Sequence, residues 1–333
     1  MSAGLSRRGF LVGSMLALPA VGLAAKASDH GKVSDALGHR CQEWERRHGG
    51  RIGVAVWNLA TGYRAGHRVD ERFLMCSTFK ALAAALVLAR VDQGQESLDR
   101  RLLVSRKDLV GWSPVTEKRT GEGGMTVAEL CEAAVAWSDN GAANLLVKGF
   151  GGPGALTEFL RESGDPVTRL DRLEPELNGY GGADKESDTT SPGAMLDTLY
   201  RLLFGEVLSA HGRAQLAAWM IVNKTGDRRL RAGFPANWLV ADKTGTSGDE
   251  LGYSNDIGVA WSPARGAVLV TGVLRDAEGG SRGAGPDHRR GGGDGERGVA
   301  EAARSRCGSL PASEPGRAAA TKKAPEKRGL MRR

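Results

Sequence analysis

The sequence predicts an α+β fold, an α/β sandwich in which one antiparallel sheet is built from both terminal segments and an all-helical subdomain is inserted between them. Three observations carry this expectation. Strand-like runs occur near the two ends of the ordered chain, at Arg51–Asn58 and again at Trp238–Lys243, Asn255–Trp261 and Ala267–Leu274. From about 77 to 222 the patterns are helical. The 333 residues, 41% of them hydrophobic, are enough for two closely packed subdomains sharing a sizeable core.

Taken in order, the chain opens on Ser6-Arg7-Arg8-Gly9-Phe10-Leu11 and a short apolar run, followed by the small residues Ala25-Lys26-Ala27. The run is too short to span a membrane. Residues 1–27 read as a twin-arginine-like export signal, so a periplasmic or secreted protein with no membrane anchor after cleavage is expected. Val33 to Arg47 has an amphipathic helical pattern, and Thr61-Gly62 marks a hairpin turn after the first strand. Phe79 to Val91 lacks a polar stripe until Arg90, which predicts a buried helix. Thr126-Val127-Ala128-Glu129 is a capping box that opens another. Helical patterns continue to about Phe204 and over Arg213–Val222 before the strands return. The folded body is read as 28–280. Nine of the twenty residues 279–298 are Gly, and no aromatic follows 281, so 281–333 is expected to be a disordered tail.

Charge placement excludes one tempting class. The formal net charge is +7, yet residues 28–280 hold 30 Lys/Arg against 33 Asp/Glu. The excess of base lies in the leader and the tail, and the tail lacks aromatics to stack bases, so no nucleic-acid partner is expected. The four Cys show no CxxC spacing and the six His form no HxH, HExxH or Cys/His cluster. Neither a disulfide scaffold nor a metal site is expected, and no cofactor is implied.

Four motifs carry chemistry. Ser77-Thr78-Phe79-Lys80 places a hydroxyl and an amine one helical turn apart, at the start of a buried helix whose N–H groups can stabilise an oxyanion. Ser138-Asp139-Asn140 offers a second hydroxyl for proton transfer and an amide to hold a substrate. Lys243-Thr244-Gly245-Thr246 follows the strand Trp238–Ala241; Lys243 can hold a carboxylate, Gly245 permits close approach of a substrate, and Thr246 offers an edge N–H. Glu174-Pro175-Glu176-Leu177-Asn178, in the loop from Arg172 to Asp188, can orient a water.

Together with the flanking Trp112-Ser113-Pro114-Val115-Thr116-Glu117-Lys118 and Asp171-Arg172-Leu173 runs, these motifs resemble the class A serine β-lactamases from about Val33 to Leu274. The resemblance implies a serine β-lactamase/penicillin-binding-protein-like fold, a monomeric chain acting on a small β-lactam, and hydrolysis through an acyl-enzyme. It implies Ser77 as nucleophile, Lys80 or Glu174 as acylation base, Ser138 as proton donor to the lactam nitrogen, and Glu174 with Asn178 as holders of the deacylating water. It further implies Trp112 as a cleft wall, Asn140 as amide binder, Lys243, Thr244, Gly245 and Thr246 as the substrate-binding strand, and Arg172–Asp188 as a loop clamp.

Departures from the family pattern are equally specific. Ser254 stands where many members carry an arginine for the substrate carboxylate, and Arg229 occupies a place from which some relatives supply that charge. Cys76 and Cys131 match halves of family disulfides whose partner positions are Ser247 and Ala84, so no bridge is expected. The Gly/Arg-rich tail is unlike the family's closing amphipathic helix. The competing readings are a penicillin-binding carboxypeptidase or transpeptidase, and a slow β-lactam binder; both lack a deacylating carboxylate, which Glu174 with Asn178 supplies here.

Overall fold

The computed structural model describes residues 24–179, 184–247 and 251–276. The expected leader, apart from 24–27, and the expected tail lie outside them. Helix α1 spans Ala24–His48, longer than the amphipathic pattern suggested, because Ala24-Ala25-Lys26-Ala27 are strong helix formers that continue it. Then come β1 (Arg51–Asn58), β2 (Arg64–His67), the two-residue β3 (Phe73–Leu74) and α2 (Phe79–Asp92). The middle of the chain holds β4 (Arg101–Val104), β5 (Gly121–Thr126), α3 (Val127–Ala136), α4 (Asn140–Gly149), α5 (Pro153–Glu162), β6 (Thr189–Thr190), α6 (Pro192–Leu203), α7 (Ala210–Ile221) and the short α8 (Leu230–Gly233). It closes with β7 (Leu239–Thr246), β8 (Tyr253–Ser262) and β9 (Gly266–Arg275).

The main sheet has the order β2-β1-β9-β8-β7, so N- and C-terminal strands meet at β1 and β9. All pairs are antiparallel, with Ala55 opposite Thr271, Val259 opposite Leu269 and Lys243 opposite Ile257. Side chains alternate between two buried faces. Ile52, Val54, Val240, Ala260, Val268 and Val270 pack with Leu37 and Cys41 of α1. Ala55, Ala241, Ile257, Val259 and Leu269 pack with the helical layer. Burial on both faces explains why these strands read as continuous apolar runs.

Helix α2 lies at the centre of the helical layer. Every residue from Phe79 to Ala89 is buried, which accounts for its missing polar stripe. The Thr126–Glu129 capping box forms as expected, Thr126 accepting from Glu129 N at 3.1 Å and Glu129 Oε2 from Thr126 N at 2.7 Å. The insert is not purely helical, however. It carries the ribbons β4–β5 and β3–β6, whose strands of two to six residues are too short or Gly-rich for a period-two signal. Ribbon β3–β6 matters, because it joins the end of the Glu174 loop to the segment entering Ser77.

Candidate active site

The SxxK motif straddles a junction. Cys76–Thr78 form a single 3-10 turn, with Cys76 held at φ 47, and α2 begins at Phe79. Ser77 therefore sits at the N-terminal end of the fourteen-residue α2, buried from Phe79 to Ala89, where the helix dipole favours negative charge. Lys80, one turn on, is fully buried, and its Nζ donates to Ser77 Oγ at 2.9 Å. It also reaches Ser138 O at 2.9 Å, Asn140 Oδ1 at 2.5 Å and Glu174 Oε1 at 3.0 Å. Burial holds the Lys80 pKa below the usual lysine range, and the Glu174 carboxylate opposes that shift.

Glu174 is delivered by a loop anchored at both ends. Asp188, fully buried, takes the Arg172 guanidinium at 2.6 Å and the main-chain N–H groups of Asp171 and Arg172 at 2.8 and 2.9 Å. The Arg172–Asp188 pair predicted from sequence is thus formed inside a hydrogen-bonded corner, which distinguishes it from a solvated surface pair. Met75 N donates to Asp188 O at 2.9 Å, tying that corner to the nucleophile's segment. In the middle of the loop Asn144 forms a two-way bridge, its Nδ2 to Glu174 O at 2.8 Å and its Oδ1 from Glu174 N at 2.9 Å. The Glu174–Pro175 bond is cis. Glu174 Oε1 accepts from Ser77 Oγ at 3.2 Å, and Glu174 Oε2 from Asn178 Nδ2 at 2.5 Å.

The third wall is built on Asp139. Its carboxylate caps α4 through Ala142 N at 2.8 Å and holds Val115 N, Thr116 N and Thr116 Oγ1 at 2.8–2.9 Å. The Trp112 loop is thereby fastened to the Ser138 segment. Ser138 itself sits at φ 57, a left-handed conformation that is rare for a residue with a side chain. Its hydroxyl accepts from Lys243 Nζ at 3.0 Å while its carbonyl accepts from Lys80, so the two ammonium groups approach Ser138 together. Burial drives the Lys243 pKa well down, and the neighbouring Lys80 charge adds to it.

Two expectations about the Lys243 motif need correction. The motif does not follow the strand; it lies within β7, the free edge of the sheet. Ser247 N donates to Tyr253 O at 3.2 Å, which makes those residues a bonded pair and, by antiparallel alternation, leaves Thr246 opposite Ser254 in a non-bonded pair. The Thr246 N–H therefore points out from the sheet edge. Gly245 has a different role from the one expected. A Cβ there would lie 2.7 Å from Met75 O and 3.2 Å from Cys76 Cβ, so glycine lets the Ser77 turn, rather than a substrate, press against β7.

Arg229 is buried, although it precedes the short α8 in a loop where an arginine is usually solvated. Its guanidinium bridges β7 and β8, donating to Gly245 O at 2.9 Å, Asn255 O at 2.7 Å and Thr246 Oγ1 at 2.7 Å. The following residue is held by Asp256, whose Oδ2 accepts from Leu230 N at 2.9 Å and whose pKa burial raises well above the carboxylate range. Thr244 Oγ1 meets Thr225 Oγ1 at 2.5 Å, and Asn223 links Thr225 to Asp242. Gly226 is required beside that carboxylate, since a Cβ would fall 1.8 Å from Asp242 Oδ2.

The structure thus gathers Ser77, Lys80, Ser138, Glu174 and Asn178 at one point, with Asn140, Trp112, Lys243, Thr244, Thr246 and Arg229 around it. Sequence reasoning passed over Asp139, Asn144, Thr225 and Trp137 as individual contributors. Their only signal was membership in the motif flanks. Cys41, Cys76 and Cys131 are buried free thiols, and Ser247 and Ala84 occupy the positions a bridge would need. Among the described residues no group of three or more His, Cys, Asp or Glu could hold a metal ion.

Comparison with known proteins agrees with this geometry. A model of the β-lactamase enzyme family matches residues 36–287. The chain is 47% identical over 275 residues to β-lactamase L2 of Stenotrophomonas maltophilia, covering 80% of this chain and 89% of that one. A class A β-lactamase of the last common ancestor of Gram-negative bacteria, GNCA4, superposes with a TM-score of 0.73 at 56% identity, covering 81% of this chain and 97% of the other. The putative class A β-lactamase PenP from Rhodopseudomonas palustris gives 0.75 at 49% identity, covering 83% and 100%. On sequence, fold and the arrangement of the cleft together, the chain belongs to the class A β-lactamases.

Proposed function

We propose that the protein hydrolyses β-lactam antibiotics through an acyl-enzyme on Ser77, a reaction that confers resistance to them. The observation that carries this reading is the position of Ser77 Oγ, 2.9 Å from the Lys80 ammonium and 3.2 Å from the Glu174 carboxylate. The three protons of the Lys80 ammonium are directed at Ser77 Oγ, Ser138 O and Asn140 Oδ1, with Glu174 Oε1 as its ion-pair partner at 3.0 Å. The ammonium therefore has no site to accept the Ser77 proton, which is directed at Glu174. Ser77 Oγ attacks the lactam carbonyl carbon as its proton passes to Glu174. The N–H groups of Ser77 and Thr246 receive the oxyanion. The lactam C–N bond then breaks, and Ser138 delivers a proton to the departing nitrogen from between the two lysines. The Ser77 proton held on Glu174 passes on through the buried lysines to refill Ser138, leaving Glu174 ionised. With Asn178 beside it, Glu174 then takes a proton from the water that attacks the ester and hands it to Ser77 Oγ as the opened product leaves.

Trp112 walls the cleft, the Asn140 amide holds the substrate's acyl side chain, and Lys243, Thr244, Thr246 and Arg229 surround its carboxylate. Export by the twin-arginine route to the periplasm or medium, and action as a monomer, complete the proposal. No helix among the described residues is long and apolar enough to cross a membrane. The deciding experiment is turnover of the chromogenic cephalosporin nitrocefin by purified protein. Continuous turnover is expected. A single stoichiometric burst would instead identify a slow acyl-binder of the penicillin-binding type.

The burial of Arg229 sharpens a prediction about the carboxylate subsite. Arg229→Ala is expected to lower kcat/KM about ten- to a hundred-fold through loss of a charge-assisted contact. It should also lower stability by about 2–4 kcal/mol, because the buried Gly245 and Asn255 carbonyls lose a donor. Ser254 stands opposite Thr246 on β8, so adding Ser254→Arg should recover part of kcat/KM without restoring Tm. Equal kcat/KM for parent and Arg229→Ala would remove Arg229 from the subsite.

A further inference from the structure

The described residues expose five large hydrophobic side chains, and two of them are tryptophans, one in the loop ahead of Ser113 and one immediately before Ser138. Trp112 is 60% exposed and Trp137 42%. The Trp112 indole Nε1 donates to Trp137 O at 3.0 Å, and Asn140 N donates to Trp112 O at 2.8 Å. Trp112 is therefore fixed to the segment 137–140 by its indole and by its main-chain carbonyl. Trp137 N is itself held by Ala133 O at 3.2 Å, at the last turn of α3, and the next residue is Ser138. The partly exposed Trp137, one residue from the Ser138 hydroxyl and bonded through its carbonyl to the Trp112 indole, presents an apolar surface to which the reading of the cleft gives no role.

From this placement we infer that Trp137, with Trp112, receives the substituent carried by the ring fused at the lactam nitrogen, and that it selects for β-lactams in which this substituent is aromatic. The inference rests on the reading of the cleft given above. In that reading Ser138 faces the lactam nitrogen, and the fused ring bears the carboxylate lying toward Lys243 and Thr246. The acyl side chain departs in the other direction, over Asn140. A second substituent on the fused ring then leaves the cleft past Ser138, where the neighbouring surface is Trp137. Aromatic groups meeting there gain apolar contact and offset-stacked or edge-to-face geometry with the indole, whereas a methyl gains little.

The test uses two cephalosporins that share an acyl side chain and differ only in the ring substituent, methyl in one and aromatic in the other. In the parent, kcat/KM is expected to favour the aromatic compound. In Trp137→Ala that preference, the ratio of the two kcat/KM values, should fall about ten-fold, and the change should appear in KM rather than kcat. Trp137→Phe should keep most of the preference, and Trp137→Gln, similar in bulk but without a ring, should lose it like Ala. Unaltered Tm in these variants is expected for a partly exposed side chain and checks that the fold is intact. An unchanged ratio in both Trp137→Ala and Trp137→Gln overturns the inference. Failure of the parent to hydrolyse either compound would instead overturn the underlying β-lactamase reading.

Discussion

Ser77→Ala is expected to abolish nitrocefin turnover, lowering kcat/KM by at least about ten-thousand-fold. Four hydroxyls border the cleft, but their surroundings differ. Thr246 Oγ1 is bound to the Arg229 guanidinium, and Thr244 Oγ1 to Thr225. Ser138 Oγ touches the Lys243 ammonium but no carboxylate that could accept its proton. Only Ser77 Oγ combines a proton acceptor in Glu174, a cation in Lys80 and a place at the N-terminal end of α2. The fold should be spared, since Lys80 keeps Ser138 O, Asn140 Oδ1 and Glu174 Oε1 as acceptors. Intact-protein mass after incubation with a β-lactam should show no adduct, and Tm should stay near that of the parent. Turnover above a trace in this variant would reassign the nucleophile.

Much of this site could be read from the chain because its parts are local. Ser77 and Lys80 are three residues apart on one helix, and a helix of known phase fixes their mutual direction. The main sheet was legible for a related reason: its strands of eight to ten residues are long enough to show a strand pattern, alternating in Arg51–Asn58, with the Thr61-Gly62 turn marking the hairpin after it. Contacts between distant segments were less accessible. Asn144 reaches Glu174 across thirty residues, and nothing in the SDN flank distinguishes an asparagine that braces a loop from one that caps a helix. Arg229 lies in a loop, where an arginine is usually solvated, and nothing near it in the sequence shows that β7 and β8 supply the carbonyls that hold it buried. Gly245 was assigned to substrate access, when the close approach it permits is that of Met75 and Cys76. Strands β3 and β6 have two residues each, below the length at which alternation can be recognised.

Replacing Glu174 by Gln separates the two halves of the reaction. The side chain keeps its length, and its carbonyl oxygen can still accept from Asn178 Nδ2 or Lys80 Nζ, so loop position should be conserved. The lost property is proton acceptance, and general-base removal of this kind costs about a hundred- to ten-thousand-fold. Deacylation has no other carboxylate within reach among the side chains that contact Ser77. Acylation has an alternative in Lys80. Burial already depresses the Lys80 pKa, and Glu174 is the first group acting against that depression. Removing its charge lowers the Lys80 pKa further, so a larger fraction of the amine is neutral at a given pH and can take the Ser77 proton. Acylation in Glu174→Gln is therefore expected to persist and to speed up as pH rises through the Lys80 pKa. Intact-protein mass should show an adduct of the whole β-lactam on Ser77 that outlasts the parent's by orders of magnitude, with nitrocefin giving a burst and no steady rate. If the adduct clears from Glu174→Gln as quickly as from the parent, the deacylating base lies elsewhere and the loop clamped by Arg172 and Asp188 serves another purpose.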